Sequence, residues 1–337
     1  MLSGLLQGYE CFPVSSGPPL FILPTTLTVA FVALALERFS GFPSPLRKLV
    51  GHPANGLFLL NGVFAAMIPD SGNSPARRRV MGGLFCLLSV GVTLALAIVF
   101  TVTLRNFPYA WFWEGVLATP FLAQYALRVR VRTVATALKD DVPAARTALG
   151  HLVNHDLSNL DESSIVRGCL EAMAENLATA IVTPAFWLAL FGLPGIVTIS
   201  ALSAVHRRLE GDKPARSLCA ALEMAANFIP ARIAGLVVAG AASMTSPTAG
   251  SHALATIWRD ARKAGNLTSS WPECAVAGAL DVRLGGPRQY GEKLVEHGWA
   301  GDGVEHLSVT ELRSGLRLLA QTLTLLTLLT GIAAAFA

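Results

Sequence analysis

An unbroken run of 25 residues without a charged side chain, 80–104, is the feature that most limits how this chain can fold. A helix rises about 1.5 Å per residue, so this run is long enough to cross the roughly 30 Å hydrocarbon core of a bilayer. The composition agrees, because 53% of the residues are hydrophobic and only 14% are charged, against about 25% in soluble domains. The chain is therefore predicted to be a helical membrane protein.

Basic residues next to the apolar runs indicate the orientation of this protein. Arginines 77–79 precede the first run, and Arg128, Arg130 and Arg132 follow a second apolar run at 107–127. Cytoplasmic ends of spans carry an excess of such residues, so both clusters are predicted to be cytoplasmic. The two runs then cross the membrane outward and back.

Other apolar segments add to the count of spans. The further candidates are 20–36, 228–244 and 316–337. Two shorter segments, 178–190 and 196–205, are separated by Gly192, Pro194 and Gly195, which is typical either of a hairpin or re-entrant element or of one kinked span. The prediction is an all-α, polytopic protein of the inner (plasma) membrane, with about four to six spans in one domain, 1–337.

Charge returns in two regions, 128–176 and 246–313, which are predicted to be membrane-associated, cytoplasmic helical loops. The net charge of +4 does not indicate nucleic-acid binding, because the basic residues lie in short clusters beside apolar runs. The five cysteines are odd in number and have no CxxC spacing, so they are interpreted as buried hydrophobic residues. Common nucleotide, metalloprotease and hydrolase motifs are absent.

The first polar cluster, 155–162, leads into a helix that carries acidic residues. Asp161 is predicted to cap the start of this helix. Glu171 and Glu175 lie four residues apart and so share one helix face, where two carboxylates can hold a divalent cation or divide acid and base roles. The simpler interpretation is a solvated helix face with a capping residue.

Two further clusters lie later in the chain. Asn227 and Arg232 flank a proline where the chain enters a predicted span, a pattern that also fits simple interfacial anchoring. Arg259 and Lys263 precede a Trp-Pro-Glu sequence at 271–273, in which proline and an acidic residue suit the first turn of a helix.

Taken in order, these motifs resemble the CobD/CbiB family of cobalamin biosynthesis, whose members are multi-span membrane proteins. The matching sequences are HDLSNLDE (155–162), ExxAEN (171–176) followed by TPAFW (183–187), NFIPAR (227–232), and RDARK (259–263) followed by WPECAVAGALDVRLGGPRQYGE (271–292), with a weaker GHP at 51–53. The resemblance covers roughly residues 20 to 335.

The resemblance implies an amide-forming ligase. Such an enzyme joins aminopropanol or its phosphate to a propionate carboxylate of the corrinoid cobyric acid, with ATP and Mg as cofactors and membrane lipid and other cobalamin-pathway proteins as partners. The expected catalytic residues are Asp156, Glu171 and Glu175, the last two also as metal ligands. The expected substrate-binding residues are Asn176, Asn227, Arg232, Arg259, Lys263, Trp271 and Glu273, with Arg167 as a further candidate cation.

The sequence also departs from the family pattern at polar positions. An Asp expected after the AEN sequence is Thr179, an Asn-Thr-x-Asp element is replaced at 200–203, a pair of Asp residues becomes Glu223 and Met224, and a His-Pro-Ser-Pro-Asn-Ala-Gly segment is replaced at 264–270. The alternatives are a catalytically degenerate membrane partner or corrinoid-binding subunit of the pathway, or a membrane sensor of the AmpE-like branch. The motifs favour the enzyme.

Overall fold

The fold comes from a computed structural model that describes residues 23–40, 74–153, 160–263, 268–286, 288–290, 293–295 and 298–337. This part of the chain is almost entirely helical, which confirms the predicted class. Its helices are α1 (Leu23–Ser40), α2 (Pro75–Leu104), α3 (Ala110–Ala118), α4 (Gln124–Asp140), α5 (Val142–Leu149), α6 (Glu162–Leu177), α7 (Thr183–Arg208), α8 (Lys213–Thr245), α9 (Pro247–Asp260), α10 (Ser270–Leu280) and α11 (Val309–Phe336).

Four of the described helical segments are long and apolar enough to cross a membrane. They are Pro75–Leu104, Glu162–Arg208, Lys213–Thr245 and Val309–Phe336. The second of them joins α6 and α7 through a π-helical turn, Ala178–Val182. Large apolar side chains on α2, such as that of Val99, remain exposed, as expected of a surface that meets lipid. These helices fit the predicted multi-pass membrane protein.

The predicted span 107–127 is not one continuous helix, so that prediction is wrong. Helix α3 has 9 residues, about 14 Å in length, which is too short to cross the hydrocarbon core. A 3₁₀ turn, Thr119–Phe121, contains Pro120, which has no backbone N–H to continue the helical hydrogen bonding. Leu122 is then extended, with φ −99° and ψ 139°, before α4 begins.

Helix α7 reverses direction at Gly192, which favours the predicted hairpin over one kinked span. The backbone of Gly192 is non-helical, with φ 64° and ψ −153°, a conformation open mainly to glycine. A β-carbon on Gly195 would lie 2.2 Å from the carbonyl oxygen of Trp187. Residues eight apart in a straight helix are separated by about 12 Å, so the two arms of α7 fold against each other.

Helices α2 and α8 pack closely near their N-terminal ends. A β-carbon on Gly82 would lie 2.3 Å from the carbonyl oxygen of Ala215, so the two backbones touch at a position that only glycine allows. Arg78 forms an ion pair with Asp212 at 2.8 Å, just before α8 begins. The start of α2 and the turn between α7 and α8 therefore lie at the same end of the molecule.

A small β structure separates α10 from α11. Strand β1 (Leu284–Gly285) pairs with β4 (Trp299–Ala300), and β2 (Arg288–Tyr290) pairs with β3 (Lys293–Val295), both antiparallel. Gly285 has φ 82°, which bends the chain after β1. The Gly285 amide lies beside α6, where it donates a hydrogen bond to Glu171.

Candidate functional site

Many polar side chains line a cavity of about 700 Å³ between α4, α6, α7 and α8. The region just before α4 and the segment before α10 complete its walls. The polar lining residues are Arg130, Glu175, Asn176, Thr179, Ser200, Ser203, His206, Arg207, Glu223, Asn227 and Thr268. A cavity of this size and mixed character is typical of a small-molecule site.

Three of the predicted site residues meet at this cavity. Glu175 and Asn176 lie in the last turn of α6, and Asn227 lies on α8. Asn227 is only 5% exposed, and its Oδ1 accepts a hydrogen bond of 2.7 Å from Oγ1 of Thr183. Its Nδ2 donates to the carbonyl oxygen of Glu223, one turn earlier on α8, at 2.7 Å, so both ends of the amide are held in place.

The two acidic residues of α6 have different surroundings. Glu175 is exposed to the cavity, whereas Glu171 is buried and its Oε1 accepts a hydrogen bond of 2.6 Å from the Gly285 amide. Within the described ranges no three His, Cys, Asp or Glu side chains come together as a metal site. Asp156 falls in 154–159, outside those ranges. The pairing of Glu171 with Glu175 at a metal stays a prediction.

Another wall of the cavity is formed by His206 together with Ser203 and Glu223, two positions at which the sequence departs from the family pattern. Oγ of Ser203 donates to Oε1 of Glu223 at 2.7 Å, and Nδ1 of His206 contacts Oε2 of the same carboxylate. Ser203 and His206 lie three apart on α7, while Glu223 comes from α8. Nothing in the sequence alone indicates this contact, because it depends on how two helices are aligned.

Arg232 and Trp271 belong to a second cluster, in which the guanidinium group packs on aromatic rings away from the cavity lining. The guanidinium of Arg232 lies 3.4 Å from the ring centroid of Phe228 and 5.3 Å from that of Trp271. Trp271 also meets Trp258 edge to face, with centroids 5.5 Å apart. These two predicted substrate-binding residues therefore lie together, and neither lines the cavity.

Arg259 and Lys263 are held by acidic partners. Arg259 forms ion pairs with Asp260 at 2.8 Å and Asp302 at 2.6 Å, and Lys263 contacts Asp260 at 3.2 Å. Asp260 is buried, which by itself raises its pKa, but hydrogen bonds from Arg259, the Gly301 amide and Lys263 lower the pKa below its ordinary value. This cluster joins α9 to β4, and a substrate role for its cations stays a prediction.

The remaining predicted residues lie at helix starts and loop contacts. The Trp-Pro-Glu sequence does begin a helix, α10, with Glu273 buried in its first turn. Asp161 caps α6 as predicted, since its Oδ1 accepts a hydrogen bond of 2.9 Å from the Ser164 amide. Arg167 donates to the carbonyl oxygen of Glu305 at 2.8 Å. Neither Glu273 nor Arg167 lines the cavity.

Several positions that depart from the family pattern line this cavity. The departing residues in its lining are Thr179, Ser200, Ser203, Glu223, Met224 and Thr268. They surround Glu175, Asn176 and Asn227, which keep the pattern. The lining of the polar cavity therefore combines residues that keep the family pattern with residues that depart from it.

Comparison with known proteins gives the family. The model of the CobD/CbiB protein family matches residues 30–319. A protein of Rhodobacter capsulatus named "Cobalamin biosynthesis protein CobD" is 34% identical over 312 residues, which cover 90% of this chain and 96% of that protein. Proteins of the same name from Brucella suis and Klebsiella pneumoniae are 35% and 32% identical, covering 80% of this chain and 85% and 86% of theirs. No solved structure gives a significant match. The chain therefore belongs to the CobD/CbiB family, the family of these cobalamin biosynthesis proteins.

Proposed function

We propose that this chain is a ligase of cobalamin biosynthesis in the inner membrane. It joins aminopropanol or its phosphate to a propionate carboxylate of cobyric acid and forms an amide, with ATP consumed. The observation that carries the proposal is the cavity where Glu175, Asn176 and Asn227 meet. Glu175 and Asn176 belong to one family motif and Asn227 belongs to another, and all three line the same polar, partly enclosed cavity.

The cavity holds groups of both charges, which suits substrates that bring phosphate, carboxylate and amine together. Arg130 and Arg207 line it with guanidinium groups that can pair with phosphate or carboxylate oxygens. Glu175 offers a carboxylate for an amine or a cation. Asn227 acts as a positioning residue, because its Oδ1 accepts a hydrogen bond from Thr183 and so joins α7 to α8 at the cavity.

The residues present also fit Mg and ATP. Magnesium is usually bound through one or two carboxylates together with substrate phosphates, rather than by a full cage of protein ligands. Glu175 would contribute the carboxylate, and Arg130 and Arg207 would meet the phosphates. The nucleotide, when bound with its metal, supplies the phosphoryl group that activates the propionate carboxylate. The chain itself orients the amine and the acyl group and keeps competing water out.

A volume of about 700 Å³ suits the reacting arm of the corrinoid and its small co-substrates better than the whole ring. The ring then lies outside the cavity. The aromatic cluster of Trp258 and Trp271 offers flat faces for it, with Trp258 68% exposed.

The alternative function is a corrinoid-binding component without catalysis. It is favoured by the altered lining residues Thr179, Ser203 and Met224. The experiment that separates the two uses purified protein in detergent with cobyric acid, either amine donor, ATP and Mg, and follows the amide product by mass spectrometry. Product formation supports the ligase. Binding of cobyric acid without product from any donor supports the alternative.

A further inference from the structure

We propose that His206 accepts the proton that the attacking amine loses, and that Glu223 holds it in position for this role. The inference rests on the proposed function, and deepens it by assigning residues outside the predicted motifs. His206, Glu223 and Ser203 all line the cavity of about 700 Å³. The assembly is built from two helices, with His206 and Ser203 on α7 and Glu223 on α8.

The contacts around Glu223 orient the histidine. One oxygen of the carboxylate accepts a hydrogen bond of 2.7 Å from Ser203, and the other contacts Nδ1 of His206. A carboxylate at Nδ1 favours the tautomer with its proton on that nitrogen, which leaves Nε2 as the acceptor. The side chains of His206 and Glu223 are 24% and 23% exposed, so the pair is partly shielded yet reachable.

The other charged groups define the electrostatic setting of His206. In the described part of the chain, the charged residues that share the cavity with this pair are Arg130 from α4, Glu175 from α6 and Arg207 from α7 itself. The negative charge of Glu223, next to Nδ1 of His206, counteracts the positive charges of the guanidinium groups in the same cavity. A histidine between acidic and basic groups in a cavity is a common arrangement for proton transfer near neutral pH.

Amide formation from an acyl phosphate and an amine releases one proton, so it needs one group that accepts a proton. A carboxylate oxygen of the propionate first bonds to the terminal phosphorus of a nucleoside triphosphate. The bond from that phosphorus to its bridging oxygen breaks, and the nucleoside diphosphate leaves with the electron pair, so that an acyl phosphate forms. The lone pair of the amine nitrogen then forms a C–N bond to the acyl carbon, and the C–O bond to phosphate breaks, with phosphate leaving with the electron pair. The nitrogen's surplus proton goes to Nε2 of His206. The products are the amide, phosphate, the nucleoside diphosphate and a protonated histidine that later returns the proton to solvent.

The test compares His206→Gln with wild type in the amide-forming assay across pH. We expect kcat to fall about 100-fold or more, in line with the loss of a general base, with KM for cobyric acid little changed. Wild-type activity should fall toward acid pH, where a general base becomes protonated, and this fall should be absent from the residual activity of the variant. Added imidazole should restore part of the activity of His206→Ala, an effect that a merely structural role does not give.

Matched variants separate this role from others. Glu223→Gln should lower kcat less than His206→Gln, since it keeps the shape but not the charge behind the ring. His252→Gln changes an exposed histidine on α9 and should leave activity as in wild type. Amide formation by wild type with an unchanged kcat and pH profile in His206→Gln would overturn this inference alone. Absence of amide from wild type would overturn the proposed function and the inference with it.

Discussion

Thr183 of α7 donates a hydrogen bond from Oγ1 to Oδ1 of Asn227 on α8, at 2.7 Å in a buried setting. This bond lies just behind the cavity and joins the start of α7 to the middle of α8. Trp187, one turn further along α7, donates its Nε1–H to the carbonyl oxygen of Ala226 at 3.2 Å. The same two helices carry Ser203, His206 and Glu223, so the shape of the cavity depends on this junction.

Asn227→Ala should therefore loosen the junction. The hydroxyl of Thr183 loses its partner in a buried place, and we expect a loss of about 1 to 3 kcal/mol in the free energy of unfolding. The measurement is unfolding in mixed micelles. In a cycle with Thr183→Ala, the double variant should lose less than the sum of the single variants, by about 1 kcal/mol. Additive effects would mean that the bond contributes nothing to stability.

Gly82→Ala should disturb the packing of α2 on α8. The added carbon would meet the backbone of Ala215 at 2.3 Å, and backbone cannot move aside as a flexible side chain can. We expect a loss of about 1 to 3 kcal/mol, measured as a lower unfolding midpoint in detergent. Gly91→Ala is the matched control on the same helix, because a β-carbon there has no neighbour within 4 Å. Equal midpoints for the two variants would contradict the close contact of these helices.

The cluster around Asp260 should make stability depend on pH. Its pKa is lower in the folded protein than its ordinary value, so it stabilises the fold at neutral pH and this contribution is lost as pH falls through the folded pKa. Asp260→Asn should cost about 1 to 3 kcal/mol at pH 7. Its difference from wild type should stay constant from pH 7 to about pH 5, and should shrink as the pH falls below the ordinary pKa of 3.8 toward the lower pKa of the folded protein. A difference that does not shrink at acid pH would rule out the ionised role of Asp260.

The positions and ends of several helices were predictable from the sequence, because they depend on residues that are close together in the chain. The charge-free run 80–104 lies within α2, and Asp161 caps α6 as its position before the apolar pattern predicts. The break at Gly192 also follows from local residues, since only glycine readily adopts its backbone conformation. The span predicted at 107–127 failed because hydropathy does not register the loss of a hydrogen-bond donor at Pro120.

The candidate site was predictable only in part, because it is built by contacts between helices. Glu171 and Glu175 share a helix face in the sequence pattern, yet Glu171 accepts a hydrogen bond from the Gly285 amide and Glu175 lies at the cavity. His206 and Glu223 are separated by the turn between α7 and α8. Their contact depends on how these helices align, and the periodicity of either helix contains no information on this alignment.

The proposed function depends on amide formation at the cavity that Glu175 lines. The most direct measurement is product formation from cobyric acid, an aminopropanol donor, ATP and Mg, with wild type and Glu175→Gln at equal amounts in the membrane. The glutamine keeps the size of the side chain and removes its charge, so insertion and expression should be unchanged. We expect amide from wild type and none from Glu175→Gln. Full activity in the variant would contradict it.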